Sequence, residues 1–235
     1  MKILGIDTAT MAGSVAIVDG ERLLGERLLN VPETHSKRLH LAIDRLLTET
    51  RLRLADLDGL AVTRGPGSFT GLRIGMAAAK GLALATGMPL VGVSTLDVLA
   101  ANFFGCRHLI CPVLDAKKKQ VFTGLYQCRD TGPVVKVRPE VCVTLEAFLD
   151  TLPPEPVIFA GDGPSLYRQR ILDHRGSLAI MAPPGLNYLS PAKTAFLGLD
   201  ELTSGRNHDL DALTPLYIRA SDAEIFVQPP VSTGY

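Results

Sequence analysis

A glycine-rich segment carries the strongest local signal for chemistry in this sequence. It joins a predicted strand to a predicted helix and reads Gly65-Pro66-Gly67-Ser68-Phe69-Thr70-Gly71. Free N–H groups and the helix dipole at such a helix start favour a bound anion. The segment is not a Walker loop, since no Gly-Lys-Ser/Thr follows, and its glycines do not fit GxGxxG. The alternative is a tight strand-to-helix turn shaped by Pro66 and Gly67.

Two aspartates stand at equivalent places in the two halves of the chain. Asp7 and Asp115 each end an apolar run that predicts a strand. Paired carboxylates at strand ends could orient a metal–phosphate group across a cleft, but aspartate is also common in simple turns. Three lysines at 117–119 follow Asp115. They are typical of a solvated hairpin tip or, less often, of a nucleic-acid contact.

The helix predicted over about residues 72–85 has a stripe of small side chains. Gly71, Gly75, Ala79 and Ala83 recur at every fourth position, which places them on one helix face. Because glycine inside a helix costs about 1 kcal/mol relative to alanine, we expect another element to approach this face closely. That element belongs either to the same lobe or to a second subunit.

Histidine and cysteine spacing does not indicate a metal or catalytic site. No two histidines have the i, i+4 spacing of a helical metal pair. The five are His35, His40, His108, His174 and His208. The four cysteines form no CxxC pair, and free thiols are expected in a chain without an export signal. The sequence therefore predicts no metal, no cofactor and no catalytic residue.

The elements that must position these residues follow the same order twice. Each half reads as three hairpin-linked strands followed by alternating helices and strands, without repetition of sequence. That order predicts a mixed sheet flanked by helices. We therefore expect an α/β protein with lobes at residues 1–105 and 106–223, a cleft between them, and a disordered tail at 224–235.

Charge and hydropathy exclude several classes of protein. The 235 residues contain 24 Lys plus Arg and 24 Asp plus Glu, so no basic excess supports bulk binding of nucleic acid. Hydrophobic residues make up 46% of the chain, which is typical of a globular protein. No stretch reaches the ~18 apolar residues of a membrane helix, and no signal peptide is recognisable. We expect a soluble, cytoplasmic protein.

Four segments of the chain together form a recognisable set of motifs: Ile6-Asp7-Thr8-Ala9-Thr10, the run RGPGSFTGLRIG at 64–75, Lys80-Gly81-Leu82-Ala83 and Gly92-Val93-Ser94-Thr95-Leu96. They resemble the TsaB family, also called YeaZ, a bacterial subunit needed to make threonylcarbamoyladenosine in tRNA. Weaker matches extend the resemblance over most of the chain, at Asp115-Ala116, Gly161-Asp162-Gly163 and Pro215-Leu216-Tyr217-Ile218-Arg219.

The resemblance implies a two-lobed, ribonuclease H-like fold of the actin, Hsp70 and sugar-kinase type, and a scaffold instead of a catalyst. The catalytic relatives, the TsaD family, have a His-x-x-x-His metal pair, which falls here on Thr95 and Leu99. Sugar kinases usually have glycine two places after the phosphate-hairpin aspartate, where this chain has Ala9. The resemblance thus implies a vestigial nucleotide site with Asp7, Thr8, Thr10, Asp115, Gly161 and Gly163.

The resemblance also implies partners. It implies binding to a TsaD catalytic subunit, contact with the ATPase subunit TsaE through the complex, and a homodimer when the chain is alone. Binding of tRNA would be weak or would occur through the complex, and no membrane partner is expected. The implied contact surface lies on two helices of the first lobe, with Leu39, Ile43, Leu46, Leu47, Gly71, Gly75, Ala79 and Ala83.

Two other functions stay open at this point. An ATP-dependent phosphotransferase of the same fold is disfavoured by the incomplete phosphate hairpin at Asp7. A metallopeptidase, as the TsaD relatives were once labelled, is disfavoured by the missing histidines at Thr95 and Leu99.

Overall fold

The computed structural model describes residues 1–32, 34–128 and 132–219. The predicted tail at 224–235, and residues 220–223 of the predicted second lobe, lie outside the described residues. Within those ranges, no helix is both long enough and apolar enough to cross a membrane.

Within residues 1–32 and 34–94, the first lobe contains five strands and two α-helices. They are β1 (Lys2–Asp7), β2 (Gly13–Asp19), β3 (Arg22–Leu29), α1 (His35–Thr50), β4 (Gly59–Gly65), α2 (Phe69–Thr86) and β5 (Leu90–Ser94). The sheet order is β3-β2-β1-β4-β5. The first three strands are antiparallel, and β4 and β5 run parallel to β1.

The second lobe repeats this topology. After the connecting helix α3 (Thr95–Ala100), its elements are β6 (Leu109–Asp115), β7 (Gln120–Cys128), β8 (Val134–Thr144), α4 (Leu145–Leu149), β9 (Val157–Ala160), α5 (Gly163–Arg175) and β10 (Ala179–Met181). The sheet order is β10-β9-β6-β7-β8, with β9 parallel to β6 and β7 antiparallel to it. The predicted pair of mixed sheets flanked by helices is confirmed.

Turn and capping residues set the ends of the elements. Gly20 joins β2 to β3 at a φ of +56°, which glycine adopts without strain. Ser68 caps α2, because its hydroxyl accepts the N–H of Gly71 at 3.2 Å. Gly87 ends the same helix at a φ of +73°. The sequence-based start of α2 at residue 72 therefore misses the cap and the first turn.

Helix α6 (Pro191–Thr203), the last helix among the described residues, packs on the other lobe. Chain order places it in the predicted second lobe, yet it packs against β1, β2 and β4 of the first sheet. Gly5 permits this approach, because a Cβ there would lie 2.7 Å from backbone atoms of Pro191 and Ala195. Helix α3 packs in return against β6 of the second sheet. The two sheets thus lie on either side of residues 95–108 in the chain, whereas α3 and α6 each pack across that division.

The two lobes share a hydrophobic core. One cluster of buried side chains combines Leu72 and Leu96 with Ile110, Phe122 and Ile158 of the second lobe. The expected cleft is therefore closed over part of its depth. Near its mouth, a cavity of about 470 Å³ remains between the loop after β1 and the start of α5.

Candidate functional site

The glycine-rich segment is a tight strand-to-helix connection. Ser68 donates its N–H to the carbonyl oxygen of Ala9 at 2.7 Å, and the Gly71 N–H is bound by the Ser68 hydroxyl. A Cβ at Gly67 would overlap the Ala9 carbonyl oxygen. At Gly65 the φ is +121°, and a Cβ there would lie 2.7 Å from the carbonyl oxygen of Leu216. Two of the N–H groups that an anion would need are thus bound within the chain.

The small-residue stripe of α2 packs against the end of β1 in its own lobe. The Thr8 hydroxyl donates to the Gly71 carbonyl at 2.7 Å, and a Cβ at Gly75 would overlap the same hydroxyl. Ala79 and Ala83 lie in the core with 0% and 1% exposure. Of the two alternatives left by the spacing, the close approach is therefore made within the lobe.

The implied interface residues of α1 face the same core. Leu39, Ile43 and Leu46 are 2–5% exposed, and Leu47 packs against their cluster. These four side chains, and the stripe at Gly71, Gly75, Ala79 and Ala83, thus pack within their own lobe, and their assignment to a partner surface stays a prediction. Amphipathic spacing identifies the apolar face of a helix but not whether the lobe itself covers that face.

The opposite face of α2 is open. Leu84 is 80% exposed, and a Cβ at Gly81 would meet no described atom within 4 Å. Ala77 lies one turn earlier on this exposed face. At the start of the helix, Arg73 stacks on the Phe69 ring with 3.7 Å between the guanidinium carbon and the ring centroid. The Arg73 Nε also donates to the Tyr217 hydroxyl at 3.0 Å.

Asp7 is completely buried at the end of β1. Its Oδ1 accepts the Ala9 N–H at 3.0 Å and the Thr63 hydroxyl at 2.7 Å. Its Oδ2 is bound by no group of the described residues. Burial raises the pKa of Asp7 to about 6, and the two hydrogen bonds offset only part of that rise. Ser14, opposite Asp7 in the sheet, also has a buried hydroxyl without a partner among the described residues.

Asp115 is held by its own neighbours. Lys117 donates to it from both the backbone N–H, at 3.0 Å, and Nζ, at 2.7 Å, and the Tyr167 hydroxyl binds Oδ1 at 3.1 Å. Burial alone would raise the pKa of Asp115, but these partners hold it below its usual value. The lysines at 117–119 form an exposed turn with φ values of +52° to +61°.

The other residues of the expected nucleotide site divide into two groups. Thr10 and Gly161 line the cavity at the cleft mouth, together with Asp162. Gly163, in contrast, packs at the start of α5, where a Cβ would overlap the Val113 side chain, and Thr8 packs beneath α2. The cavity thus joins two of the six residues expected at this site.

Thr95 and Leu99, which stand where the TsaD family has its metal-binding histidines, are buried. Thr95 and Leu99 are both 0% exposed, and neither side chain is a typical metal ligand. In residues 1–32, 34–128 and 132–219, no group of three or more His, Cys, Asp or Glu side chains could hold a metal ion.

The sequence analysis did not predict a buried hydrogen-bond network around Arg38 at the start of α1. Arg38 is 6% exposed and donates to the carbonyl oxygens of Met11, at 2.7 Å, and Val31, at 3.0 Å. Its Nη2 also contacts Nδ1 of His35 at 3.1 Å, and His35 Nε2 contacts the Thr10 carbonyl at 2.8 Å. Burial, together with Arg38, lowers the pKa of His35. The i, i+3 spacing of the two residues was the available signal.

A second polar network joins α3 to the second sheet. The Tyr126 hydroxyl lies 2.8 Å from Asp97 and 3.2 Å from Glu140, while Lys136 contacts both carboxylates. The Ser94 hydroxyl also donates to Glu140. Because these residues come from four different elements, their spacing in the sequence could not predict that they form one network.

Comparison with known proteins identifies the family. The family model described as "TsaD: tRNA N6-adenosine threonylcarbamoyltransferase" matches residues 30–225. The tRNA threonylcarbamoyladenosine biosynthesis protein TsaB of Bacillus subtilis is 35% identical over 226 residues, covering 95% of this chain and 96% of that protein. The chain belongs to the TsaB family.

Solved structures agree with the TsaB assignment and with the fold. YeaZ from Pseudomonas aeruginosa is similar with a TM-score of 0.77 and 26% identity, covering 92% of this chain and all of that one. Component A of the (R)-2-hydroxyglutaryl-CoA dehydratase of Acidaminococcus fermentans has a TM-score of 0.52 at 11% identity, covering 86% and 99%. The latter shares the fold alone. The expected two-lobed fold of the actin and sugar-kinase type is confirmed.

Proposed function

We propose that this chain is the non-catalytic scaffold subunit of a complex that makes threonylcarbamoyladenosine in tRNA. The observation that carries the proposal is the near full-length similarity to TsaB of Bacillus subtilis. In this role the chain binds a TsaD catalytic subunit in the cytoplasm and reaches the ATPase subunit TsaE through the complex. When alone, it pairs with a second copy of itself.

The strand-end carboxylates support a role without catalysis. Asp7, at the end of β1, is buried and accepts a hydrogen bond from Thr63 of β4. Asp115 is hydrogen-bonded by Lys117 and Tyr167. Neither carboxylate is free to orient a metal–phosphate group in this arrangement. The buried Thr95 and Leu99 at the positions of the TsaD histidines point the same way.

Reconstitution tests this division of labour. With threonylcarbamoyl-adenylate and tRNA, the isolated chain is expected to form no modified nucleoside. Addition of TsaD and TsaE from the same organism should restore the product. Robust product from the chain alone would overturn the scaffold role, and steady ATP turnover by the chain alone would favour the phosphotransferase alternative.

We place the partner surface on the exposed face of α2, around Ala77, Gly81 and Leu84. Gly81 offers open space where another helix can approach the backbone closely, and Leu84 supplies apolar area beside it. An exposed glycine in the middle of a helix is unfavourable by about 1 kcal/mol relative to alanine. Close contact with a partner on this side would explain why the position is glycine. The buried stripe on the other side of α2 supports the helix from beneath.

A Gly81→Leu substitution tests that surface. The new side chain has free space in the isolated chain but would fill the approach of a partner helix. Overpacking of about 1–3 kcal/mol corresponds to roughly a five- to 150-fold loss of affinity for TsaD or for a second copy. Calorimetry with TsaD and sedimentation of the chain alone would measure the two losses.

Gly185→Leu is the matched control for this surface. It adds the same side chain at an exposed position where no described atom lies within 4 Å of the new Cβ, but in the second lobe. Its affinity for TsaD should equal that of the parent chain. Equal binding by both variants, with unchanged circular dichroism, would remove α2 from the interface.

Binding to tRNA alone should be weak and steeply salt-dependent, since the charges of the chain balance. Filter binding of the isolated chain at two salt concentrations would measure it. Tight binding at physiological salt would instead assign a nucleic-acid role to the lysine turn at 117–119.

A further inference from the structure

An exposed arginine is held in one orientation at the start of α2. The guanidinium carbon of Arg73 lies 3.7 Å from the centroid of the Phe69 ring and 6.0 Å from that of the Tyr217 ring. Its Nε donates to the Tyr217 hydroxyl at 3.0 Å. The centroids of the two rings are 5.2 Å apart. Two aromatic residues from distant parts of the chain therefore orient one guanidinium group.

The outer edge of this guanidinium group is open. The Arg73 side chain is exposed, and within residues 1–32, 34–128 and 132–219 no acceptor binds its Nη1 or Nη2. The planar fork of N–H donors on arginine matches the two oxygens of a carboxylate or a phosphate. The donors on Nη1 and Nη2 are thus left for an acceptor outside the described part of the chain.

The charges of α2 indicate the sign of that acceptor. The helix contains two basic residues, Arg73 and Lys80, and no acidic residue. Neither of the two forms an ion pair with an acid that the structure describes. The exposed side of α2 is therefore positive, although the chain as a whole is neutral.

Arg73 lies on the helix face to which we assigned the partner surface. At 3.6 residues per turn, the exposed positions Arg73, Ala77, Gly81 and Leu84 fall within about 80° of the helix circumference. Arg73 is about 12 Å from Gly81 along the helix axis. This continuity, together with the apolar side chain of Leu84, favours a protein over a nucleic acid as the source of the acceptor.

We propose that Arg73 binds an aspartate or glutamate side chain of the TsaD subunit through Nη1 and Nη2. The proposal rests on the partner surface placed on α2 above and adds one specific ionic contact to it. Paired N–H···O bonds between a guanidinium group and a carboxylate combine charge with fixed geometry. Because Phe69 and Tyr217 already orient Arg73, the side chain loses little conformational freedom on binding.

Calorimetry of the full chain with TsaD tests the contact. Arg73→Ala should weaken binding by roughly ten- to 100-fold, since the partner carboxylate loses its donors. Arg168→Ala is the matched control, because it removes the same charge from an exposed position of α5 in the second lobe. It should change the affinity by less than about threefold. Equal weakening by both variants would reduce the effect to bulk charge and overturn the proposal.

A carbodiimide reaction identifies the acceptor. In the Arg73→Lys variant, the amine can form an amide with a carboxylate that it touches, whereas the parent guanidinium group cannot. We expect mass spectrometry to find a cross-link from position 73 to an aspartate or glutamate of TsaD. Arg168→Lys should give no such link. A link only to Asp222 or Glu224 of the same chain, or no link from position 73 to bound TsaD, would overturn the proposal.

The Gly81→Leu variant separates this contact from the proposed function. If TsaD does not bind the parent chain, the partner role fails and the contact at Arg73 fails with it. If Gly81→Leu weakens binding but Arg73→Ala does not, the surface on α2 stands and the arginine contact alone is overturned.

An RNA contact is the other outcome that would overturn the proposal. In that case Arg73→Ala would bind TsaD like the parent chain but would lower tRNA binding by the assembled complex. Circular dichroism checks the fold of each variant. If Arg73→Ala fails to fold, the affinity and the cross-link of Arg73→Lys decide.

Discussion

The ends of β1 and β6 occupy equivalent places in two lobes of the same topology, yet their aspartates differ in charge behaviour. Asp7 is completely buried, has one oxygen without a partner among the described residues, and its pKa is raised to about 6. Asp115 is bound by Lys117 and Tyr167, and its pKa is lowered. Repetition of topology thus fixes where a carboxylate lies, whereas the side chains packed around it decide whether it is charged.

Substitution of the glycines that pack against the two strand ends should give the largest difference in stability between the lobes. A Cβ at Gly71 would lie 2.1 Å from the Thr8 carbonyl oxygen, whereas a Cβ at Gly163 would lie 2.4 Å from a side-chain carbon of Val113 and 2.8 Å from its carbonyl oxygen, a less severe overlap with backbone. We expect Gly71→Ala to lower the free energy of unfolding by roughly 3 kcal/mol or more, and Gly163→Ala by less. Urea denaturation of both variants would measure this.

Gly81→Ala serves as the control for that pair. It makes the same change within α2, where no described atom lies within 4 Å of the new Cβ. It should raise the free energy of unfolding by about 0.5–1 kcal/mol, since alanine favours the helix. A loss of stability in this control would show that the effect at Gly71 reflects the helix and not the contact with Thr8.

The Asp7→Asn substitution should stabilise the chain at neutral pH. A pKa raised from 3.8 to about 6 corresponds to a penalty of about 3 kcal/mol for the ionised carboxylate. The amide keeps the acceptor for Thr63 and removes the buried charge. We expect a gain of about 1–3 kcal/mol in the free energy of unfolding at pH 8. A loss at this pH would show that the ionised form is stabilised by a group outside the described contacts.

The pH dependence of the parent chain gives an independent measurement of Asp7. Because the folded pKa lies above the unfolded value, the folded state binds more protons between pH 3.8 and about 6. The Asp7 contribution to stability is therefore lost as pH rises through this window, and it stays constant above it. The difference in unfolding free energy between Asp7→Asn and the parent should grow across the window. A constant difference would contradict the raised pKa.

Among these substitutions, Asp115→Asn should change the free energy of unfolding least. It should lower that free energy, whereas Asp7→Asn should raise it. Its folded pKa is lowered, so the carboxylate contributes stability at neutral pH that is lost as pH falls through that pKa. Because Lys117 is largely exposed, the loss at pH 7 should be below about 1 kcal/mol. Thermal unfolding at pH 7 would measure it. A stabilised variant would remove the contrast with Asp7.

Local sequence patterns were sufficient to predict most of the strands and helices and to recognise the family. The order predicted for each half, three hairpin-linked strands followed by alternating helices and strands, is the order that the structure has. The glycine-rich segment predicted a strand-to-helix connection next to a close contact. The sequence left open which element makes that contact, because spacing within a helix contains no information on what lies opposite.

The sequence by itself determined the double βββαβα order, the family motifs and the missing metal histidines, since these depend on neighbouring residues. The tertiary structure alone decided which faces are covered. It placed α6 on the first sheet, turned the stripe of α2 towards Thr8, and brought Glu140 to Asp97 and Ser94. Burial and pKa depend on all atoms within a few ångströms, and most of those atoms come from distant parts of the chain.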